Sequence, residues 1–243
     1  MKLIFIRHGE PDYIHDSLTE KGFREAEILS DRVAKMDIDE IYVSPLGRAQ
    51  ATAAPSLKKI NRTAITLPWL REFSPKVHRP DSPDREHVAW DWLPQDWTVR
   101  PEFYDPKHWF EHPAFKEAGV KEEYEYVISS FDKFLTDHGY TKEGNLFKVS
   151  QSNNDTIVIF CHFGLTALLL SYLTNISPMA VWHGTITTPT SVTTVVTEER
   201  REGIASFRVI SMGDVSHLYA AGEEPSFSGR FCESYYNTDQ RRD

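Results

Sequence analysis

Three features of the amino-acid sequence predict an α/β fold, a three-layer sandwich whose mainly parallel central sheet is flanked by helices. Short apolar runs alternate with stretches of helical periodicity, as in strands linked by crossover helices. The two clearest runs, LIFI at residues 3–6 and DTIVIFC at 155–161, are each followed at once by polar residues and a glycine. A hydrophobic fraction of 40% over 243 residues supports a sizeable core. No internal repeat is present, and we read one domain over residues 1–243.

Leu3, Ile4, Phe5 and Ile6 form the first expected strand. Gly22, Ala26, Leu29, Val33 and Met36 then recur at spacings of four, three, four and three, the stripe of an amphipathic helix. Ser17 or Thr19 is placed to cap it, with Glu20 in its first turn. EIYVS (40–44) reads as the second strand, and GRAQATAAPSLKK (47–59) as a helix that Pro55 interrupts or ends. TAITLP (63–68) reads as a third strand. Helical spacing returns at Val120, Tyr124, Val127, Phe131 and Phe134. After DTIVIFC, a buried helix is expected over GLTALLLSYL (164–173). SVTTVVTEE (191–199) and IASFRVISM (204–212) then read as a hairpin turning at Glu202 and Gly203.

Residues 73–119 break this alternation. They hold Pro75, Pro80, Pro83, Pro94, Pro101, Pro106 and Pro113, together with Trp90, Trp92, Trp97 and Trp109. Linkers lack such aromatic content, so the segment is expected to be an irregular insertion that packs on itself and on the core as a cap. Most of its tryptophans are expected to build a small secondary core, with one or two facing a ligand.

A net charge of −9 argues against nucleic acid or an acidic membrane as partner, since both reward a basic face. It is compatible with a small phosphorylated substrate, for which a few arginines make a locally positive pocket. Cys161 and Cys232 are the only cysteines, too few for a disulfide framework or a thiolate metal site. The opening MKLIFIRHGE has too short an apolar stretch for a signal peptide, and no run approaches membrane-spanning length. A cytoplasmic location is therefore the expectation. His15, His78, His87, His108, His112, His138 and His183 show no metal-ligand spacing with acidic or cysteine neighbours, so neither a metal nor another cofactor is expected.

The chemistry gathers at strand ends. Arg7 and His8 close the first strand, where Gly9 lets the backbone turn, and in open α/β sheets ligands collect at that edge. His162 follows DTIVIFC in the same way, with Gly164 two residues on. If both strands lie in one parallel sheet, the two imidazoles meet. The N–H groups of Phe163 and Gly164, opening a helix, would add an anion site without a charge. EIYVS runs into SPLGRAQATA, which brings Arg48 to the start of the next helix. Arg7, His8, Arg48 and His162 then surround one point. That is the arrangement of phosphoryl transfer, with positive groups on the non-bridging oxygens and a neutral imidazole in line with the leaving group. Arg71, Lys76, His78, Arg79 and Arg85 offer either contact with a second anionic group or a solvated basic face balanced by Glu72, Asp81, Asp84 and Glu86.

RHGEP (7–11), SPLGRAQATA (44–53) and CHFG (161–164), in that order and each at an expected strand end, resemble the histidine phosphatase superfamily in its phosphoglycerate-mutase-like branch. LTEKG (18–22) and SHL (216–218) fit the same pattern, while 73–119 stands outside it. The resemblance implies that His8 is the nucleophile, forming a phosphohistidine that water then hydrolyses. It implies that Arg7, Arg48, His162 and the Phe163 amide hold the phosphoryl oxygens. It also implies a carboxylate after the third strand that protonates the leaving group. Glu72 in LPWLREFSP stands at the matching place, completing a catalytic set with His8 and His162. The family's glycine a few residues on is absent, so Asp81 and Asp84 are alternatives for the acid. Pro11 stands where members often have Ser or Thr, and Phe163 replaces the commoner glycine, adding a ring beside the pocket. Glu10 is read as a structural partner, and His217 as a residue that lends a supporting hydrogen bond.

On this reading the chain is a metal-independent phosphatase acting on a small phosphomonoester. A cofactor-dependent mutase is the alternative, but RHGEPDYIHDSLTEKG lacks the Trp-Asn run with which such mutases continue the first motif. A phosphoester-binding protein with feeble catalysis is the third, opposed by the joint retention of Arg7, His8, Arg48 and His162. The aromatic insertion hints at a lid that reads a nucleoside, sugar or other cofactor fragment as leaving group.

Overall fold

The computed structural model describes residues 1–240. The chain opens with β1 (Lys2–Arg7), a tight pair of two-residue strands, β2 (Pro11–Asp12) and β3 (Ser17–Leu18), and helix α1 (Glu20–Val33). The Thr19 hydroxyl caps α1 by accepting the Gly22 N–H at 3.0 Å, and the helix stops short of Met36, which still packs on the core. Next come β4 (Glu40–Val43), α2 (Gly47–Ile60) and β5 (Ile65–Thr66). Contrary to the expectation from sequence, Pro55 neither interrupts nor ends α2. Its missing N–H costs one helical bond, and the buried face of Ala49, Thr52, Ala53 and Ser56 holds the helix through it. The third expected strand shrinks to the two residues of β5.

The insertion is more regular than expected. It begins with a hairpin of β6 (Lys76–Arg79) and β7 (Ser82–Val88), followed by the short helices α3 (Pro94–Trp97) and α4 (Pro113–Glu117). Helix α5 (Val120–Asp137) follows, then a hairpin of β8 (Tyr140–Glu143) and β9 (Leu146–Val149) that the periodicity did not signal. Strand β10 (Thr156–Cys161) is buried at every residue and feeds α6 (Phe163–Thr174) and α7 (Pro178–Gly184). The expected late hairpin is β11 (Val192–Arg201) with β12 (Ile204–Asp214), and α8 (Ser216–Ala220) closes the regular structure apart from a short 3₁₀ turn.

Eight strands form one sheet in the order β5-β4-β10-β1-β11-β12-β9-β8. β5, β4, β10 and β1 are mutually parallel, and β11 pairs antiparallel with β1 to begin an antiparallel extension. The expected α/β sandwich is thus borne out, with the parallel block carrying both strand-end histidines. Alternation along β1 assigns the two layers. Ile4 and Ile6 face a core with Leu29, Val33, Ala49 and Ala53 of α1 and α2, while Leu3 and Phe5 face one with Val127 and Phe131 of α5 and Leu165 and Leu168 of α6.

The tryptophans do not build the secondary core that was expected. Trp92, Phe103, Trp109 and Phe115 belong to the same cluster as Leu3, Ile157 and Ile159 of the sheet. Trp109 packs edge-on against Trp182 of α7 at 5.2 Å, and Phe73 stacks on the same indole at 5.6 Å. No helix among the described residues is long and apolar enough to cross a membrane.

Candidate active site

Arg7 of β1 lies opposite Cys161 of β10 in parallel register, so His8 and His162 leave neighbouring strands at the same level. The His8 amide donates to the Cys161 carbonyl at 3.1 Å, and the two rings sit 5.2 Å apart between centroids. His8 Nδ1 is 2.8 Å from the Gly9 carbonyl. A carbonyl oxygen only accepts, so Nδ1 carries the proton and Nε2 keeps its lone pair. Burial, reinforced by Arg7 and Arg48, holds the His8 imidazole well below its usual pKa. Neutral and lone-pair-bearing, such a ring can attack an electrophile.

His162 is the N-cap of α6 and fully buried. Its Nε2 lies 2.7 Å from the Ser44 hydroxyl, which also accepts the Leu46 N–H at 3.2 Å. The hydroxyl proton is then free to go to Nε2, which leaves Nδ1–H as a donor. His162 Nδ1 makes no hydrogen bond to protein among the described residues. Burial, with His8, Arg48 and Arg7 adding to it, keeps this ring neutral as well.

Two arginines frame the pair. Arg7 is 6% exposed, and its Nη1 donates to the Thr187 carbonyl. Arg48, in the first turn of α2, is held by Asp16, whose carboxylate accepts from Arg48 Nη1 at 2.6 Å and from the Gly47 N–H at 2.7 Å. In both arginines Nε is buried without a protein partner among the described residues. Thr52 ties α2 to the first motif, accepting the Gly9 N–H at 2.9 Å and donating to the Arg48 carbonyl at 2.7 Å.

Glu72 reaches this centre from the segment after β5. Its Oε1 accepts the N–H groups of Phe73 and Leu165, both at 2.9 Å, and its Oε2 accepts that of Gly164 at 3.3 Å. The free Gly164 amide expected to bind an anion is therefore taken by Glu72. Burial raises the Glu72 pKa, while the helix amides, Arg7 and Arg48 oppose it, and the net direction is up. Gly164 cannot be replaced without displacement, because a Cβ there would come within 2.4 Å of Trp90 Nε1 and 2.8 Å of Glu72 Oε1. Trp90 is fixed by donating to the Phe73 carbonyl at 2.7 Å and meets the Phe163 ring edge-on at 5.6 Å.

Other expected residues fall elsewhere. Asp81 is ion-paired to Arg79 at 2.9 Å and Asp84 is exposed, so neither shares the Glu72 position. Arg79 is buried between Asp81 and Asp91, which removes it from the basic cluster that could meet a second anionic group. Glu10 is structural, accepting from the Thr19 and Ser226 hydroxyls. His217 Nε2 lies 3.3 Å from Thr190 Oγ1, and burial lowers its pKa to about 4. Thr190, a β-branched residue at φ 56°, donates its N–H to the His8 carbonyl at 3.2 Å. Sequence reasoning missed Asp16, Ser44, Thr52, Thr190 and Tyr13, whose ring stands 5.5 Å from the Arg48 guanidinium carbon. Ser44 and Thr52 lay within SPLGRAQATA, and that motif was the available signal.

The family model of the histidine phosphatase superfamily (branch 1) matches residues 3–209. Among curated relatives, a probable phosphatase of Schizosaccharomyces pombe is 34% identical over 67 residues, 24% of this chain and 32% of that protein. A probable phosphoglycerate mutase of Yersinia pestis is 33% identical over 102 residues, 37% of this chain and 47% of that protein. The chain thus matches less than half the length of either relative. Phosphoserine phosphatase from Entamoeba histolytica, solved with phosphoserine, superimposes with a TM-score of 0.57 at 22% identity, covering 89% of this chain and 98% of that one. Mycobacterial glucosyl-3-phosphoglycerate phosphatase gives 0.54 at 19% identity, covering 87% and 98%. At these identities the likeness to both structures is one of fold.

Proposed function

The chain belongs to the histidine phosphatase superfamily, and from that premise we propose that it is a metal-independent phosphatase hydrolysing a small phosphomonoester through a phosphohistidine at His8. One observation carries the reading. Three buried polar atoms without a protein partner among the described residues, Arg7 Nε, Arg48 Nε and His162 Nδ1, belong to the side chains that surround the neutral His8 imidazole, whose Nε2 is unprotonated. Such a set suits a phosphoryl group, whose oxygens accept and whose phosphorus is attacked.

In the first step His8 Nε2 forms the N–P bond as the ester P–O bond breaks, and the electron pair leaves on the ester oxygen. Glu72, its pKa raised by burial, gives that oxygen its proton. Arg7, Arg48 and His162 stabilise the phosphoryl oxygens as their charge redistributes. Glu72, now a carboxylate, takes a proton from water, whose oxygen displaces His8 and releases phosphate. Trp90 and the Phe163 ring stand beside the acid, which supports a cap role for residues 73–119 in reading the leaving group. The unpaired Cys161 and Cys232 are in keeping with the reducing cytoplasm.

The test is trapping with a labelled phosphoester. Wild type yields an acid-labile phosphohistidine and keeps its activity in excess EDTA, and His8→Ala yields no label while folding normally. Undiminished labelling of His8→Ala sinks the assignment, and Mg²⁺-reversible loss in EDTA sinks metal independence. A panel of phosphoesters assayed with the same preparation identifies the leaving group.

A further inference from the structure

The chain beyond α8 turns back onto Arg7. Buried Ser226 hooks onto two carboxylates, its N–H donating to Glu25 Oε1 at 3.1 Å and its hydroxyl to Glu10 Oε2. Glu25, itself buried, also accepts the Glu10 N–H at 2.9 Å, so the hook joins the tail to the loop that follows His8. Ser228 N–H folds back to Ser226 Oγ at 3.0 Å, and the Ser228 carbonyl lies 3.5 Å from Arg7 Nη1. Gly229 follows at φ 85°, against the Nη1/Nη2 end of the guanidinium. A Cβ there would come within 2.7 Å of both Nη1 and Nη2. The Thr187 carbonyl takes Nη1 as well. Arg7 is thus gripped at its Nη1 end by main chain, while its Nε has no protein partner among the described residues. A planar guanidinium fixed at one end presents its other edge in one orientation, which a bidentate contact with phosphoryl oxygens requires.

We propose that residues 226–229 are a positioning clip for Arg7, hooked on Glu10 and Glu25 through Ser226 and seated through Gly229, that orients the guanidinium for the phosphoryl group. The clip rests on the phosphatase reading above. Gly229 is its selective element, because a residue without Cβ meets the guanidinium tip at that φ without the clash and strain that a side chain would bring.

The experiment uses the full-length protein with Gly229→Val, Ser226→Ala, Arg7→Ala and the Arg7→Ala/Gly229→Val pair. Phe231→Ala serves as a control in the same exposed segment. Vanadate affinity, KM and kcat for p-nitrophenyl phosphate, and melting temperature are read for each. Gly229→Val is expected to weaken vanadate binding and raise KM by roughly tenfold, the scale of one misdirected charge-assisted hydrogen bond, with a small fall in melting temperature from a β-branched residue at positive φ. Ser226→Ala moves the same quantities less, and Phe231→Ala moves none. In the Arg7→Ala background the Gly229 substitution adds nothing, because the residue it acts through is gone. Unchanged vanadate affinity in Gly229→Val, a gain of activity, or full additivity in the pair overturns the clip alone. A wild type that neither binds vanadate nor turns over overturns the phosphatase reading and the clip with it.

Discussion

Glu72 is pulled in opposite directions by its neighbours. Backbone amides at the start of α6 favour the carboxylate and burial favours the acid, and burial prevails. The pH dependence follows from the two signs. A donor must be protonated, so the alkaline limb of activity lies at the raised Glu72 pKa, above the ordinary carboxylate value of 4.5. The nucleophile must be neutral, so the acid limb lies where His8 protonates, well below 6.5. Glu72→Gln should slow hydrolysis of alkyl phosphates by about 10²–10⁴, and slow phosphoenzyme formation from p-nitrophenyl phosphate only mildly, since nitrophenolate leaves without a proton. It should also remove the alkaline limb for alkyl phosphates while the acid limb stays. Asp81→Asn showing that leaving-group dependence, with Glu72→Gln showing none, would transfer the role to the insertion.

At the scale of elements, the β6–β7 hairpin is held by one buried cation. Arg79, 7% exposed, pairs with Asp81 at 2.9 Å and Asp91 at 3.0 Å and donates to the Asp91 carbonyl at 3.1 Å. Removing the cation leaves two partly buried carboxylates facing each other, a far worse state than the pair or an apolar replacement. Arg79→Ala should cost roughly 2–3 kcal/mol in urea unfolding, less than a fully buried pair because both aspartates retain solvent contact. Arg79→Met should recover part of that by filling the space. Trp90 follows this hairpin and anchors beside Glu72, so Arg79→Ala should also lower kcat for alkyl phosphates before it lowers vanadate affinity. An Arg79→Ala protein as stable as wild type would show that the hairpin is held by its backbone ladder instead.

Over the whole molecule, what was legible in the sequence is what is local. The runs ending in Arg7-His8 and Cys161-His162 announce both strand and site, because an apolar strand stopping at charged residues and a glycine is visible within ten residues. The meeting of the two imidazoles followed once those strands lay in one parallel sheet. The features that stayed hidden depend on contacts across the chain. Ser226 carries no local sign that it will meet Glu10 and Glu25, nor Asp16 that it will hold Arg48. The tryptophans of the insertion read as a small secondary core because composition reports apolar payload and not its destination. Its destination is Trp182, on which Trp109 and Phe73 both pack and whose indole donates to the Gly164 carbonyl at 2.9 Å. Insertion, α7 and the start of α6 therefore share one set of contacts that also supports His162. A segment wired in this way cannot open without exposing the main core, so it should not unfold ahead of the sheet. In urea, tryptophan fluorescence, weighted toward the insertion, and far-UV circular dichroism, weighted toward the helices, should give coincident transitions. Trp109→Ala should move both together by about 3–5 kcal/mol, the cost of deleting a fully buried indole. A fluorescence transition that precedes the loss of secondary structure, or a Trp109→Ala effect confined to fluorescence, would mean that residues 73–119 open independently, and that closure of the insertion is a step in each turnover.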